Sequence, residues 1–143
     1  MIVYGDTSAL VKLFVAEENS GRTREMLSRA QALGTGLLTR AELGAALARG
    51  VRRGFLSAEE GLEARRRLDK AWPTWIHIAV DESLVARAEA LAWEYSLRGY
   101  DAVHLAAAVA WQERLDARIV VATFDRELWQ AARQSGLETW PEA

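Results

Sequence analysis

Short apolar stretches alternate with helix-like stretches along the whole chain. In one of the helix-like stretches, Leu84, Ala88, Leu91 and Tyr95 fall at positions i, i+4, i+7 and i+11, which is the period of a helix with one buried face. The apolar stretches are brief and rich in β-branched residues, as strands are. The predicted strands are Ile2–Tyr4, Gly36–Leu38, Ile76–Val80, Arg118–Thr123 and a short one around Glu138–Trp140.

Capping residues predict where the helices begin. Thr39-Arg-Ala-Glu42 and Ser57-Ala-Glu-Glu60 both match the Ser/Thr-x-x-Glu capping box, and several Asp residues stand at other predicted helix starts. Glycine and proline mark the ends. The predicted helices are Thr7–Val15, Arg22–Leu33 (closed by Gly34), Thr39 to near Gly54, Ser57 to near Trp72, Asp81 to the break at Gly99, a buried one from Asp101, and Asp125 to near Ser135.

This order of elements predicts the α/β class. Strands that are separated by helices pair in parallel through right-handed crossovers, and helices then cover both faces of the sheet. The chain shows no internal repeat, low-complexity tract or linker. We therefore expect a single domain over residues 1–143, with a short, central, mostly parallel sheet and helices on both faces.

Acidic residues follow the predicted strands. Asp6 and Asp125 come just after two of them, and Glu42 lies one short turn past a third. In a parallel sheet these three carboxylates meet at one edge, where ligands bind. Asp101 follows no strand, so the pattern does not place it. Each acid could serve only as a helix cap, but several anionic groups at one edge repel one another and are tolerated chiefly beside a cation.

Composition limits what that cation can be. The chain has no cysteine and only two histidines, His77 and His104, so disulfides and thiolate sites are excluded and a zinc site is not expected. Oxygen ligands favour Mg²⁺ or Mn²⁺, which can polarise a phosphodiester and generate a hydroxide nucleophile. His104 follows Asp101 by three residues and could face such a site, although its apolar helix is more typical of a core histidine.

The distribution of charge suggests where a phosphate backbone could bind. The net charge is −2, but the segment Arg49–Lys70 holds seven basic and four acidic residues and is therefore +3. Its arginines are either an ordinary solvated helix face or phosphate contacts. The candidates for substrate binding are Arg49, Arg53, Arg65 and Arg66. The sequence shows no signal peptide and no membrane-spanning run, so a cytoplasmic protein without membrane contact is expected.

Four motifs resemble those of PIN-domain nucleases, specifically the VapC-type toxins of bacterial and archaeal toxin–antitoxin pairs. They follow the family's order and spacing across nearly the whole chain. The motifs are Ile2-Val-Tyr-Gly-Asp6-Thr-Ser-Ala-Leu10-Val-Lys-Leu-Phe14, Thr39-Arg-Ala-Glu42, Leu97-Arg-Gly-Tyr-Asp101-Ala-Val-His-Leu-Ala-Ala-Ala108 and Ile119-Val-Val-Ala-Thr-Phe-Asp125.

The resemblance implies more than the pattern does. It adds Asp101 to the site and makes Asp6 and Asp101 the principal metal ligands, with Glu42 and Asp125 completing a catalytic acidic cluster that binds Mg²⁺ or Mn²⁺. It places the hydroxyls of Ser8 and Thr123 beside that cluster. It also implies endonucleolytic cleavage of RNA, a homodimer and inhibition by a cognate antitoxin protein.

Two other functions stay open at this point. A phosphatase of the haloacid-dehalogenase type also has an Asp after its first strand, but it needs a second Asp two positions later, where this chain has Ser8. The second alternative is an inactive PIN-like domain that binds RNA or a partner and whose acids only cap helices. Acids at all four positions argue against that degeneration.

Overall fold

The computed structural model describes all residues, 1–143, and contains one five-stranded sheet and seven α-helices. The strands are β1 (Ile2–Gly5), β2 (Ala32–Gly36), β3 (Ile76–Ile78), β4 (Ile119–Ala122) and β5 (Glu138–Trp140). The helices are α1 (Thr7–Leu10), α2 (Ser20–Ser28), α3 (Thr39–Arg52), α4 (Ala58–Ala71), α5 (Glu82–Tyr95), α6 (Gly99–Leu115) and α7 (Arg126–Gln134).

The sheet has the order β3-β2-β1-β4-β5, and every neighbouring pair is parallel. Successive residues of β1 point to opposite faces, so Val3 packs with α2, α3 and α4, whereas Tyr4 packs with α5, α6 and α7. Two hydrophobic cores thus lie on the two faces of one sheet. The predicted fold class is confirmed, and the sheet is entirely parallel.

The helix starts agree only in part with the predicted caps. Ser57 and Glu60 form the predicted capping box, and Asp81 accepts from the N–H of Leu84 at the start of α5. The capping box predicted from Thr39 is wrong, because α3 starts after Leu38 without a side-chain cap. Asp101 does not open its helix either, since α6 starts at Gly99 and Asp101 lies in its first turn.

The prediction for the second strand is also wrong. The predicted helix over Arg22–Leu33 ends at Ser28, and the strand is β2 (Ala32–Gly36) rather than Gly36–Leu38. The glycines inside β2 allow close packing: a Cβ atom on Gly34 would lie 2.6 Å from the ring of Trp111. What looked like a helix-ending glycine is a strand position that a tryptophan covers.

None of the helices is sufficiently long and apolar to cross a bilayer.

Candidate active site

The acids lie at the point where the chain changes direction across the sheet. From β1 the chain adds β2 and β3 on one side, and β4 and β5 lie on the other side. Asp6 follows β1 and Asp125 follows β4, and these two strands are direct neighbours. In open parallel sheets such a switch point is where ligands bind, because the loops diverge and leave a crevice.

Asp6 is buried and held from several directions. Its Oδ1 accepts from Ser8 Oγ at 2.7 Å and from the N–H of Ala9 at 3.1 Å, and its Oδ2 accepts from Thr123 Oγ1 at 2.7 Å. Burial raises the pKa of Asp6, and the charge of His104 and these hydrogen bonds oppose that rise only in part. Asp6 does cap α1 through Ala9, but the two hydroxyl bonds are more than a cap requires.

Two hydroxyls join Asp6 to the loop after β4. Ser8 Oγ accepts from the N–H of Phe124 at 2.8 Å, and Thr123 Oγ1 accepts from the N–H of Asp125 at 3.0 Å. The two hydroxyl oxygens are 3.3 Å apart. The structure therefore places Ser8 and Thr123 against Asp6, where they fix the orientation of its carboxylate.

The Glu42 carboxylate contacts the first residue of α1 and a residue of α6 instead of capping its own helix. Its Oε1 accepts from Thr7 Oγ1 at 2.9 Å and lies 2.8 Å from His104 Nε2. Burial alone would raise the pKa of Glu42, but the hydrogen bond and charge of His104 outweigh it and lower the pKa. Since Thr7 directly follows Asp6, this contact brings Glu42 to the same edge of the sheet.

Asp101 and Asp125 share one cationic partner. Arg98 Nε lies 3.2 Å from Asp101 Oδ2, and Arg98 Nη2 lies 3.0 Å from Asp125 Oδ2. Burial and the negative charge of Asp125 raise the pKa of Asp101, although Arg98 acts against them. Asp125 also caps α7 through the N–H of Leu128. The four predicted acids are thus linked in two pairs: Asp101 and Asp125 share Arg98, whereas Asp6 and Glu42 are joined by Thr7, and the charges of Asp6, Glu42 and Asp101 all act on His104.

The predicted substrate-binding arginines separate into two groups. Arg49 lines a cleft of about 420 Å³ together with Glu42, Thr7 and Tyr100. Arg49 and Arg53 both line a second cleft, which is described below. Arg65 and Arg66 are exposed on α4, where Arg66 is 3.5 Å from Glu63. Only Arg49 therefore shares a cleft with an acid of the cluster.

The sequence analysis did not predict several residues that contact the acids or their partners. No pattern gave a site role to Arg98, Thr7 or Tyr4, and His104 was expected to be a core residue. His104 is indeed buried, but it also contacts Glu42. Its spacing of three residues from Asp101 puts both side chains on one face of α6, which was the available signal.

The donor set suits a hydrated divalent cation. No three side chains of the His, Cys, Asp and Glu types are grouped tightly enough to enclose an ion on their own. Mg²⁺ does not need such an enclosure, because it keeps several waters and takes one or two carboxylates directly. Asp101 and Asp125 both face one cationic side chain, Arg98, which they contact through two different nitrogens, and all the candidate ligands are oxygens. The residues therefore fit Mg²⁺ or Mn²⁺.

Comparisons with known proteins find relatives in both sequence and fold. Ribonuclease VapC45 of Mycobacterium tuberculosis is 34% identical over 140 residues, which are 98% of this chain and 95% of the relative. The solved structure of M. tuberculosis VapC20, titled a sarcin–ricin loop cleaving toxin, matches with a TM-score of 0.63 at 16% identity, over 90% of this chain and 94% of that one. A toxin–antitoxin complex from Klebsiella pneumoniae gives 0.56 at 19% identity, over 84% of each chain.

The two structural matches, at such low identity, show the fold alone. The relationship rests on the sequence relative and on the family model for the PIN domain, which matches residues 3–134. Together they confirm the resemblance that the four motifs carried. The chain therefore belongs to the PIN-domain family, as a relative of the VapC ribonucleases.

Proposed function

We propose that this chain is a divalent-metal-dependent endoribonuclease and the toxin component of a type II toxin–antitoxin pair. One observation carries the proposal: Asp6 and Asp125 follow the two strands that form the switch point of a parallel sheet, and Asp6, the most buried of the four acids, is oriented by two hydroxyls. The name of the relative VapC45 supports ribonuclease activity, and the family resemblance implies a divalent metal.

In this proposal Asp6 and Asp101 are the principal ligands of Mg²⁺ or Mn²⁺, and Glu42 and Asp125 complete the cluster. The metal supplies the polarisation of the phosphodiester and the activation of a water at neutral pH. Ser8 and Thr123 keep the Asp6 carboxylate in one orientation, and Asp6 Oδ2, which accepts only from Thr123, retains acceptor capacity for a further partner. Arg98 contacts both Asp101 and Asp125, and its exposed guanidinium reduces the repulsion between them only slightly.

Removal of the metal tests the proposed reaction. Purified protein is expected to cut RNA with Mg²⁺ or Mn²⁺, to stop when EDTA is added and to resume when excess metal is returned, because the proposed mechanism depends on a divalent metal to polarise the phosphodiester and to activate water. A gel assay on labelled RNA measures it, with Asp6→Asn as the inactive control. Cleavage that survives complete chelation would exclude the proposed mechanism.

The same assay separates the alternatives. An inactive domain would bind RNA without cutting it at any metal concentration. A phosphatase would release phosphate from a monoester and leave the RNA chain intact. Ser8 argues against the phosphatase, since its hydroxyl is engaged with Asp6 and the N–H of Phe124.

Arg49 is the best supported of the predicted phosphate contacts, because it shares the cleft with Glu42. Arg49→Ala is expected to weaken RNA binding and to reduce the slope of log K against log salt by about one. Fluorescence anisotropy at several salt concentrations measures the slope. Arg118→Ala is the control: Arg118 precedes β4, at the opposite edge of the sheet, and pairs with Glu138. Equal slopes in both variants would show that Arg49 belongs to an ordinary solvated helix face and does not contact phosphate.

An antitoxin partner also belongs to this proposal. A cleft of about 360 Å³ between the segment that follows α1 and the C-terminal part of α3 has a mostly apolar lining, and Phe55 at its side is 80% exposed. The lining residues are Val11, Val15, Ala16, Glu17, Ala46, Arg49, Gly50, Arg53, Phe55 and Leu56. Such a groove suits the apolar face of a partner helix. The cytoplasmic location and the homodimer remain predictions.

A further inference from the structure

His104 is buried in α6, and both of its ring nitrogens have partners. Nδ1 lies 2.7 Å from the hydroxyl of Tyr4, and Nε2 lies 2.8 Å from Glu42 Oε1. The side chain of His104 is only 6% exposed, whereas that of Glu42 is 24% exposed. The imidazole therefore links a residue in the interior of the sheet to an acid at the edge of the cluster.

The hydrogen bonds along this link have a definite direction. The N–H of Gly36 donates to the Tyr4 oxygen at 3.1 Å, so the Tyr4 proton is free to point at His104 Nδ1. Burial raises the pKa of Tyr4 far above its usual value, so its hydroxyl keeps that proton. If Nδ1 of a neutral imidazole accepts, the ring proton must be on Nε2, where it donates to Glu42. Nε2 carries a proton in the doubly protonated ring as well.

The link fixes Glu42 to the sheet rather than to its own helix. Tyr4 is in β1 and Gly36 ends β2, so both stand on the rigid parallel ladder. A glutamate has several rotatable bonds, and a partly exposed one loses conformational entropy when it is held in place. Glu42 has no capping-box bond to restrain it, and only Thr7 and His104 contact its carboxylate.

We propose that His104 is a positioning residue of the acidic cluster, which holds the Glu42 carboxylate at the site by donating from Nε2 while Tyr4 fixes the ring. The proposal rests on the proposed function for its consequence in cleavage. Its structural part, the donor from Nε2 to Glu42, stands independently of that function.

Two amide substitutions of His104 distinguish between two roles of the side chain: donating a hydrogen bond to Glu42 and merely filling its pocket. The amide nitrogen of glutamine lies near the place of Nε2, whereas the amide group of asparagine reaches only to the place of Nδ1. His104→Gln is expected to stay within a few-fold of wild type in Mn²⁺ affinity, measured by electron paramagnetic resonance, and in cleavage rate. His104→Asn is expected to lose about 10–100-fold, as when an outer partner of a metal ligand is removed.

A merely structural histidine would give a different result. Both variants place a neutral amide in the same pocket, so a structural role predicts equal losses that follow the melting temperature. Equal Mn²⁺ affinities in His104→Gln and His104→Asn would overturn the proposal, and so would a loss in the glutamine variant alone.

The tautomer of His104 gives a second test, which needs neither a variant of His104 nor activity. The chain has only two histidines, and His77→Gln assigns the ¹⁵N resonances of the remaining ring. We expect the resonances of a ring protonated at Nε2, and Tyr4→Phe should shift the Nδ1 resonance because its donor is lost. A neutral ring protonated at Nδ1 would overturn the proposal. A protein that cuts no RNA but shows the Nε2 proton would refute the proposed function and leave the positioning of Glu42 supported.

Discussion

Asp101→Asn is expected to lower RNA cleavage by at least about 100-fold while the metal-free protein stays as stable as wild type or becomes more stable. Loss of a mere outer partner of a metal ligand costs about 10–100-fold, so loss of a ligand should cost no less. Asparagine keeps the shape of the side chain and removes only its charge. Activity and stability should therefore move in opposite directions or independently, which is unusual for a buried position.

The stability half of this prediction follows from the sign of the pKa shift. Burial and the charge of Asp125 raise the pKa of Asp101 in the folded protein. The folded state thus binds the proton more tightly than the unfolded state, and this stabilisation is lost as pH rises through the folded-state pKa. At neutral pH the ionised Asp101 lowers the stability of the fold, and substitution by asparagine removes this destabilisation. The contact between Asp101 and Arg98 compensates for little of it, because the Arg98 side chain is 74% exposed.

Metal binding should stabilise the folded wild type but not Asp101→Asn. A ligand that binds the folded state stabilises it by about 2.7 kcal/mol at a concentration of 100 Kd. For a domain of this size that corresponds to a rise of roughly 5–10 °C in melting temperature. We expect this rise in wild type with Mg²⁺ or Mn²⁺ and its loss in Asp101→Asn, as measured by differential scanning fluorimetry.

Asp81→Asn is the matched control for this series. Asp81 caps α5 through the N–H of Leu84 and is not a member of the cluster, and asparagine caps a helix about as well as aspartate. Its substitution should change neither cleavage nor the metal-dependent rise. Full activity in Asp101→Asn, together with a wild type whose melting temperature ignores millimolar metal, would remove the support for the proposed metal site.

The sequence predicted those features that depend on neighbouring residues and on the direction of the sheet. Alternation of strands and helices predicts the parallel sheet, and the acids after β1 and β4 meet because these strands pair. Asp6 and Asp125 were placed by this reasoning alone. Asp101 needed the family resemblance, because it lies in the first turn of α6 rather than after a strand.

The two capping-box motifs show where local reasoning fails. Ser57 and Glu60 form the box, whereas the identical pattern at Thr39 and Glu42 does not. Thr39 Oγ1 instead lies 2.7 Å from Thr35 Oγ1 in β2, and the Glu42 carboxylate meets His104, which is 62 positions away in the chain. A local sequence motif cannot reveal hydrogen-bond partners that lie outside it. Thr39 and Glu42 bond to such partners instead of to each other's backbone, and Glu42 therefore lies at the site.

The misplaced second strand has a similar cause, and it leads to the last prediction. Glycine is usually a helix terminator or a turn residue, so Gly34 was interpreted as the end of a helix and the strand was predicted to begin only at Gly36. Gly34 pairs with Tyr4 on one side and with Ile76 on the other, and the ring of Trp111 lies directly over it. Only glycine leaves room for that ring, and the need for room is invisible until α6 packs on the sheet.

Gly34→Ala is therefore expected to destabilise the fold by about 1–3 kcal/mol or more, as overpacking of a rigid core does. The added Cβ would lie 2.6 Å from Trp111 Cη2, and Trp111 is only 4% exposed, so neither the ladder nor the ring can withdraw. Urea unfolding measures the change. Gly44→Ala is the control with the opposite sign: nothing lies within 4 Å of its added Cβ on α3, so it should stabilise by about 0.5–1 kcal/mol.

A second variant tests the cause rather than the size of the effect. If the clash with Trp111 is responsible, Gly34→Ala should cost much less in a Trp111→Leu background, because the smaller side chain leaves space for the methyl group. The coupling between these contacting residues should amount to about 0.5–3 kcal/mol in a double-mutant cycle. An additive cycle, or a Gly34→Ala variant as stable as Gly44→Ala, would show that β2 tolerates a side chain there and that its glycines need another explanation.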